Sequence, residues 1–241
     1  MRIGRKMIHL ESVDSTNNYV ANMIKDAVLA SGTVIMADDQ FEGKGQRGAE
    51  WLSSAGMNLT LSIYLNDVNL SVDRQFKITQ IISVGIQNFL NKCGIVSTIK
   101  WPNDSYVNDS KIAGMLIENR ISAGKIDSTI IGIGLNVNQL KFGTLNATSM
   151  SIESGKTYLL SDLYFSFIHT IDETWNALID DESSLNRAYL NGLYRRGELH
   201  KYSDASGLFE GEIIGVTPIG KLKIRRDNSI LDYSLKEVKF L

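Results

Sequence analysis

Residues 96–136 read VSTIKWPNDSYVNDSKIAGMLIENRISAGKIDSTIIGIGLN. Three apolar runs within it, 96–101, 112–120 and 126–135, have strand length and are rich in β-branched residues. Only turn-forming segments, 103–110 and 122–125, separate them. A parallel connection needs a crossover of about a dozen residues or more, usually a helix. None fits here, so successive strands are expected to pair antiparallel. The stretch predicts an α+β domain built on a mixed, largely antiparallel sheet with helices packed on it.

Working outward, residues 7–10 form a short strand, and residues 12–17 supply several helix N-capping side chains. Tyr19, Val20, Met23, Ile24 and Ala27 then recur at helical spacing. Residues 32–37 read as a strand, whereas 38–55 are polar, glycine-rich and without period, the mark of a functional or mobile loop. The alternation Leu59, Leu61, Ile63, Leu65 predicts a half-buried strand, and 76–90 a helix through Ile78, Ile81, Ile82, Ile86 and Phe89. Towards the C-terminus, Leu163, Phe167, Ile171 and Trp175 mark one face of a helix over 159–179, and 185–193 gives another. Beyond Arg195 the pattern changes to short strands, 208–216, 221–226 and 230–234, joined by close turns. The organisation expected is a main domain over 1–194 and a small β-barrel over 195–241, too small to be stable without packing on its neighbour.

Composition narrows the function. With 43% hydrophobic and 22% charged residues and a formal charge of −2, the chain has no basic field to hold a phosphate backbone, so no DNA partner is expected. The single cysteine, Cys93, forms no internal disulfide, and no stretch approaches the ~18 apolar residues of a membrane span. These features predict a cytoplasmic protein without a membrane partner. His9, His169 and His200 are too scattered for a structural zinc site.

Four segments carry candidate chemistry. In Gly43-Lys44-Gly45-Gln46-Arg47-Gly48, glycines permit close backbone approach to an anion and two cations supply charge. A solvated loop would look the same. A dinucleotide-binding turn would not, because neither a strand directly before nor an apolar helix directly after is present. Lys100-Trp101-Pro102-Asn103-Asp104 ends a strand in a turn that presents two polar side chains, one able to meet an adenine edge, although hairpins also use such residues. Lys111 begins an apolar strand, either as an edge-strand gatekeeper or as a cation aimed into a site. Gly132 and Gly134 weaken the next strand and mark close backbone approach ahead of Asn136.

Taken in order, these segments resemble the biotin–protein ligases over nearly the whole chain. Asp14-Ser15-Thr16-Asn17 with Tyr19 looks like that family's first helix start, and Gln40, the glycine-rich loop and Trp51 look like its adenylate-binding loop. Residues 100–104 are its most specific signature, and 111–118 and 132–136 follow in family order.

The resemblance implies the class II aminoacyl-tRNA-synthetase-like catalytic fold with a C-terminal SH3-like barrel that assists ATP and carrier binding. It implies ATP-dependent formation of biotinyl-5′-AMP, then biotinylation of a lysine on the carrier domain of acetyl-CoA carboxylase or a related enzyme, with biotin, ATP and Mg²⁺ as substrates and ion. Ser15, Thr16, Asn17, Gln40, Gly43, Lys44, Gly114, Leu116 and Lys111 would bind biotin. Arg47, Trp51, Asn58, Asn103, Lys111 and Asn136 would bind the nucleotide. Lys111, Arg47 and Lys44 would stabilise developing charge, and Asp104 would be structural or linked to Mg²⁺. Both monomers and homodimers are compatible with the resemblance. Members that also repress transcription carry an N-terminal winged helix-turn-helix, for which the first strand leaves no room. Lys44 and Gln46 stand where the family's loop is commonly arginine-rich, and an amide at 46 removes a bidentate phosphate contact. The sister lipoate ligases share the fold but lack the 100–104 signature; a non-catalytic sensor would lack Lys111.

Overall fold

A computed structural model of the chain describes residues 3–26, 28–66 and 68–241; Ala27 and the side chain of Arg47 lie outside the described parts. The main sheet contains β1 (Lys6–Val13), β2 (Thr33–Gln40), β3 (Leu59–Asn66), β4 (Thr98–Lys100), β5 (Asp104–Val107), β6 (Ser110–Ser122) and β7 (Lys125–Leu135). Its order is β1-β2-β3-β7-β6-β5-β4. β1 and β2 pair in parallel, across the crossover helix α1 (Thr16–Asp26); the other five pairings are antiparallel. The mixed, largely antiparallel sheet is thus as the 96–136 stretch predicts. The expected turn over 103–110 contains β5, which pairs with β4 and β6. Its four residues, flanked by Asn103 and Asn108, are too few to show a period.

One face of the sheet carries the main core. Leu59, Leu61, Ile63 and Leu65 pack there with α2 (Phe76–Lys92) and, after the short α3 (Met150–Ser154), with α4 (Leu160–Leu178) and α5 (Glu182–Gly192). α1 lies on the opposite face, where Val20 meets Ile35, Tyr64 and Ile130. β3 is therefore buried on both sides, not half-buried as its alternation suggests, with seven of its eight residues buried. The reason is that Ser62 and Tyr64 sit beneath α1 rather than water, while Thr60 lines a cavity on the same face. α1 is also capped from a distance: the Gln40 side chain, at the end of β2, accepts from Thr16 N at 2.7 Å.

Residues beyond 195 form a five-stranded antiparallel sheet of β8 (Leu199–Asp204), β9 (Gly207–Val216), β10 (Leu222–Arg226), β11 (Ser229–Tyr233) and β12 (Lys239–Phe240), ordered β11-β10-β9-β8-β12. Its interior, with Tyr202, Phe209, Ile213, Leu222 and Ile224, is continuous with the main core. The joint is specific: Trp101 Nε1 donates to Gly220 O at 2.8 Å. Gly220, at φ +88°, lets Phe76 approach so closely that a Cβ would lie 2.5 Å from its ring.

Candidate active site

The α1 face of β3, β7 and β6 has a floor nearly free of side chains. Register places Gly134 between Thr60 and Gly114, and Gly132 between Ser62 and Leu116. Three glycines in two adjacent rows remove what would otherwise fill the space. Two side chains lean into it instead. Asn17 lies so close over Gly132 that a Cβ there would meet its Oδ1 at 2.5 Å, and the Trp51 indole lies over Gly134, where a Cβ would be 2.2 Å from Cε2. The resulting cavity of about 210 Å³ runs from the start of α1 across this floor to the turn after Pro102.

At the α1 end stand Ser15, Thr16 and Asn17, all 3% or less exposed, with Gln40 beside them. Thr16 Oγ1 lies 2.9 Å from Gln40 Oε1, and Ser62 Oγ lies 2.7 Å from Thr16 Oγ1 and 2.6 Å from Asn17 Oδ1. This corner is rich in uncharged donors and acceptors.

Over the Gly114 row stands a charged pair, Lys111 Nζ at 2.7 Å from Asp104 Oδ1, and the absent Cβ of Gly114 makes room for it: that atom would fall 2.8 Å from Nζ. β6 lies between β7 and β5, so Lys111 is not an edge gatekeeper but a cation in the cavity wall. It also lies 5.6 Å from the Trp51 ring centre. The turn that carries Asp104 is braced on two sides. Asn103 Nδ2 donates to Met115 O at 2.6 Å, and Trp101 reaches the C-terminal sheet as described. The first residue of the signature, Lys100, donates to Tyr106 Oη at 3.1 Å and sits over the rings of Tyr106 and Phe240; burial pushes its pKa down.

The irregular segment 38–55 is partly regular. Gln40 closes β2, and residues 43–51 fold back on themselves through Trp51 N to Gly43 O at 2.9 Å and Gly45 N to Ala49 O at 2.7 Å, around one 3₁₀ turn at Gln46–Gly48. Gly43 is required for this closure, since a Cβ would sit 2.4 Å from Trp51 O. Lys44 lines the cavity and donates to Asn18 Oδ1 at 2.8 Å, while Asn18 donates to Asp14. The Asn18 contact first, then backbone amides, hold the Asp14 carboxyl below its usual value. Trp51 Nε1 is buried without a partner among the described residues.

The structure thus gathers Ser15, Thr16, Asn17, Gln40, Lys44, Trp51, Asn103, Asp104, Lys111, Gly114 and Leu116 around one cavity, with Gly43 on the adjoining outer groove. Asn58 and Asn136, expected to meet a nucleotide, are not in its walls. Asn58 is tied to Ser53, Gln139 and Val137 N, and Asn136 Nδ2 donates to Thr148 O at 2.9 Å. Both are buried braces, because the backbone after β7 needs partners there. The Arg47 side chain is outside the described residues. Two contributors escaped the sequence reading, Ser62 and Glu118; Glu118 accepts from Asn17 Nδ2 at 2.7 Å. The polar Thr60 and Ser62 within an apolar strand were the available signal for the first. Among the described residues, no three His, Cys, Asp or Glu side chains form a metal-binding group, and no helix is long and apolar enough to cross a membrane.

The chain is similar to known proteins in sequence and in fold. The sequence model of the Biotin/lipoate A/B protein ligase family matches residues 9–136. The bifunctional ligase/repressor BirA of Bacillus spizizenii is 33% identical over 138 residues, 57% of this chain and 42% of that protein. The chain thus spans about two-fifths of that relative's length. The biotin–[acetyl-CoA-carboxylase] ligase of Paracoccus denitrificans is 27% identical over 84% of this chain and 88% of its own. Among solved structures, the biotin protein ligase of Aquifex aeolicus superposes nearly throughout. A mutant form of it in complex with biotin has a TM-score of 0.79 at 25% identity, covering 98% of both chains. Its complex with biotin and ATP has a TM-score of 0.81 at 24% identity, covering 98% of this chain and 100% of that one.

Proposed function

Because the chain belongs to the Biotin/lipoate A/B protein ligase family, we propose that it is a biotin–protein ligase. It joins biotin to ATP as biotinyl-5′-AMP and passes the biotinyl group to a lysine on the carrier domain of a biotin-dependent carboxylase. The observation that carries this reading is the placement of Lys111 over one glycine row and the neutral corner of Ser15, Thr16, Asn17 and Gln40 at the next. A urea ring needs just such a corner of donors and acceptors, and a carboxylate attacking a phosphate needs the cation.

In the first step a biotin carboxylate oxygen bonds to the α-phosphorus, and the bond to the β-phosphate oxygen breaks to release pyrophosphate. Lys111 stabilises the charge gathered on carboxylate and phosphate, aided by Lys44 and Arg47 from the loop. Asp104 holds the Lys111 ammonium in place. Mg²⁺ would be held by the phosphates of ATP and would neutralise part of their charge, while Asp104 pairs with Lys111. In the second step the acceptor lysine, as the free amine, attacks the acyl carbon; the amide forms, the proton leaves, and AMP departs. Residues 43–51 close over the adenylate and exclude water, with Trp51 on the nucleotide side. Asn103 meets the base, while Asn58 and Asn136 brace the backbone beside it. Gly43, Gly114 and Leu116 shape the walls.

Residues 1–194 act as the catalytic domain and 195–241 as an SH3-like barrel that steadies the signature turn through Gly220. We place the protein in the cytoplasm, with a carboxylase carrier domain as partner and no DNA or membrane; monomer and dimer both suit the fold. The deciding experiment is biotin-dependent exchange of labelled pyrophosphate into ATP, run beside lipoate and octanoate. Exchange with biotin alone supports the proposal, and exchange with lipoate instead, or with no acid, refutes it.

A further inference from the structure

Beneath the neutral corner runs a line of hydrogen bonds with fewer protons than contacts. We propose that Glu118, at its outer end, sets the polarity of this line so that the corner is short of a donor and selects ligands bearing ureido N–H groups. The inference rests on the biotin reading above and deepens it.

Asn17 Nδ2 lies 2.7 Å from Glu118 Oε2 and 3.4 Å from Leu116 O. A carboxylate and a carbonyl only accept, so the amide turns both protons towards them and its Oδ1 towards Ser62. An amide oxygen cannot donate, so the single Ser62 hydroxyl proton goes to Asn17, 2.6 Å away. Ser62 Oγ is also 2.7 Å from Thr16 Oγ1, which is 2.9 Å from Gln40 Oε1. Three oxygen–oxygen contacts therefore share two hydroxyl protons. Asn17, Ser62 and Thr16 are 3% or less exposed, where an unmet lone pair is costly. Gln40 Oε1 already accepts the Thr16 backbone N–H at 2.7 Å, so the shortfall lies between Ser62 and Thr16. A ligand N–H arriving at Gln40 frees the Thr16 hydroxyl proton to turn to Ser62, and a ring without N–H groups does not.

Glu118 stands on the outer groove rather than in the cavity, so it acts as a positioning residue through Asn17. A glutamine at this position donates as well as accepts. Asn17 can then turn over, donating to Ser62, Ser62 to Thr16 and Thr16 to Gln40, and all three contacts are met without a ligand.

The test is titration calorimetry of the full chain and of Glu118→Gln with biotin and with biotin methylated on either ureido nitrogen, beside exchange kinetics. The wild type should bind biotin more tightly than the methylated forms. In Glu118→Gln, biotin binding should weaken about tenfold, the worth of one hydrogen bond, the methylation penalty should shrink by the same factor, and the loss should fall on KM for biotin rather than kcat. An unchanged penalty in a variant of normal melting temperature overturns this inference alone, since methyl bulk clashes equally in both proteins. Failure of the wild type to bind biotin overturns the ligand reading and this inference with it.

Discussion

Gly134→Ala isolates the contact between the loop and the cavity floor. Gly134 has no left-handed backbone angle, so alanine costs no strain and removes a flexible residue from a strand. The new Cβ would lie 2.2 Å from Cε2 and 2.4 Å from Cζ2 of Trp51, well inside the ~3.5–4.0 Å of a normal carbon contact. β7 is the central strand of seven and cannot yield, so the loop must. Overpacking costs ~1–3 kcal/mol; charged to loop closure, that lowers the closed population roughly 5- to 150-fold. Pyrophosphate exchange would be measured in wild type, Gly134→Ala, Trp51→Ala and the double variant. Gly134→Ala should raise KM for biotin within that range while the melting temperature stays within ~2 °C. With Trp51 removed, the same alanine should cost far less. Equal effects in the two backgrounds would mean that loop and floor are uncoupled, and the reasoning would fail.

Lys111→Ala should lower the exchange rate roughly 100- to 1000-fold, the usual loss of one charge-stabilising donor, with little effect on melting because the pair is a quarter to a third exposed and screened; exchange within about tenfold of wild type would remove Lys111 from the chemistry. Gln46→Arg should slow adenylate release and reduce stray lysine biotinylation, followed by adenylate off-rate and by labelling of bystander protein; no change in either would show that residue 46 does not touch phosphate. The depressed Asp14 carboxyl contributes stability present above the ordinary aspartate value and lost as pH falls through its lower folded value. Thermal melting of Asp14→Asn should therefore lose less than wild type on acidification below about pH 4, and parallel curves would contradict this.

The sheet was legible because strands 96–135 follow one another too closely for any other pairing. The helices were legible because α2 and α4 keep one apolar face over four or more turns. β5, β8 and β12 were not, being short and polar, nor was the burial of β3 on both faces, which depends on where α1 returns. At the site, residues that act through type alone, such as the glycines of β7 and Lys111, could be picked out singly. What they do together depends on register, which pairs Gly134 with Gly114 and brings Ser62 under Asn17. Asn58 and Asn136 show the converse: polar residues near a site are as easily spent holding its backbone.

A floor made of main chain limits how such a protein can change. Any substitution at Gly114, Gly132 or Gly134 only subtracts volume, so no single change there gives the cavity a new taste. Variation in what is accepted has to enter from the sides, through the start of α1 and residues 43–51. An engineer seeking a bulkier acid should randomise those walls and leave the three glycines fixed.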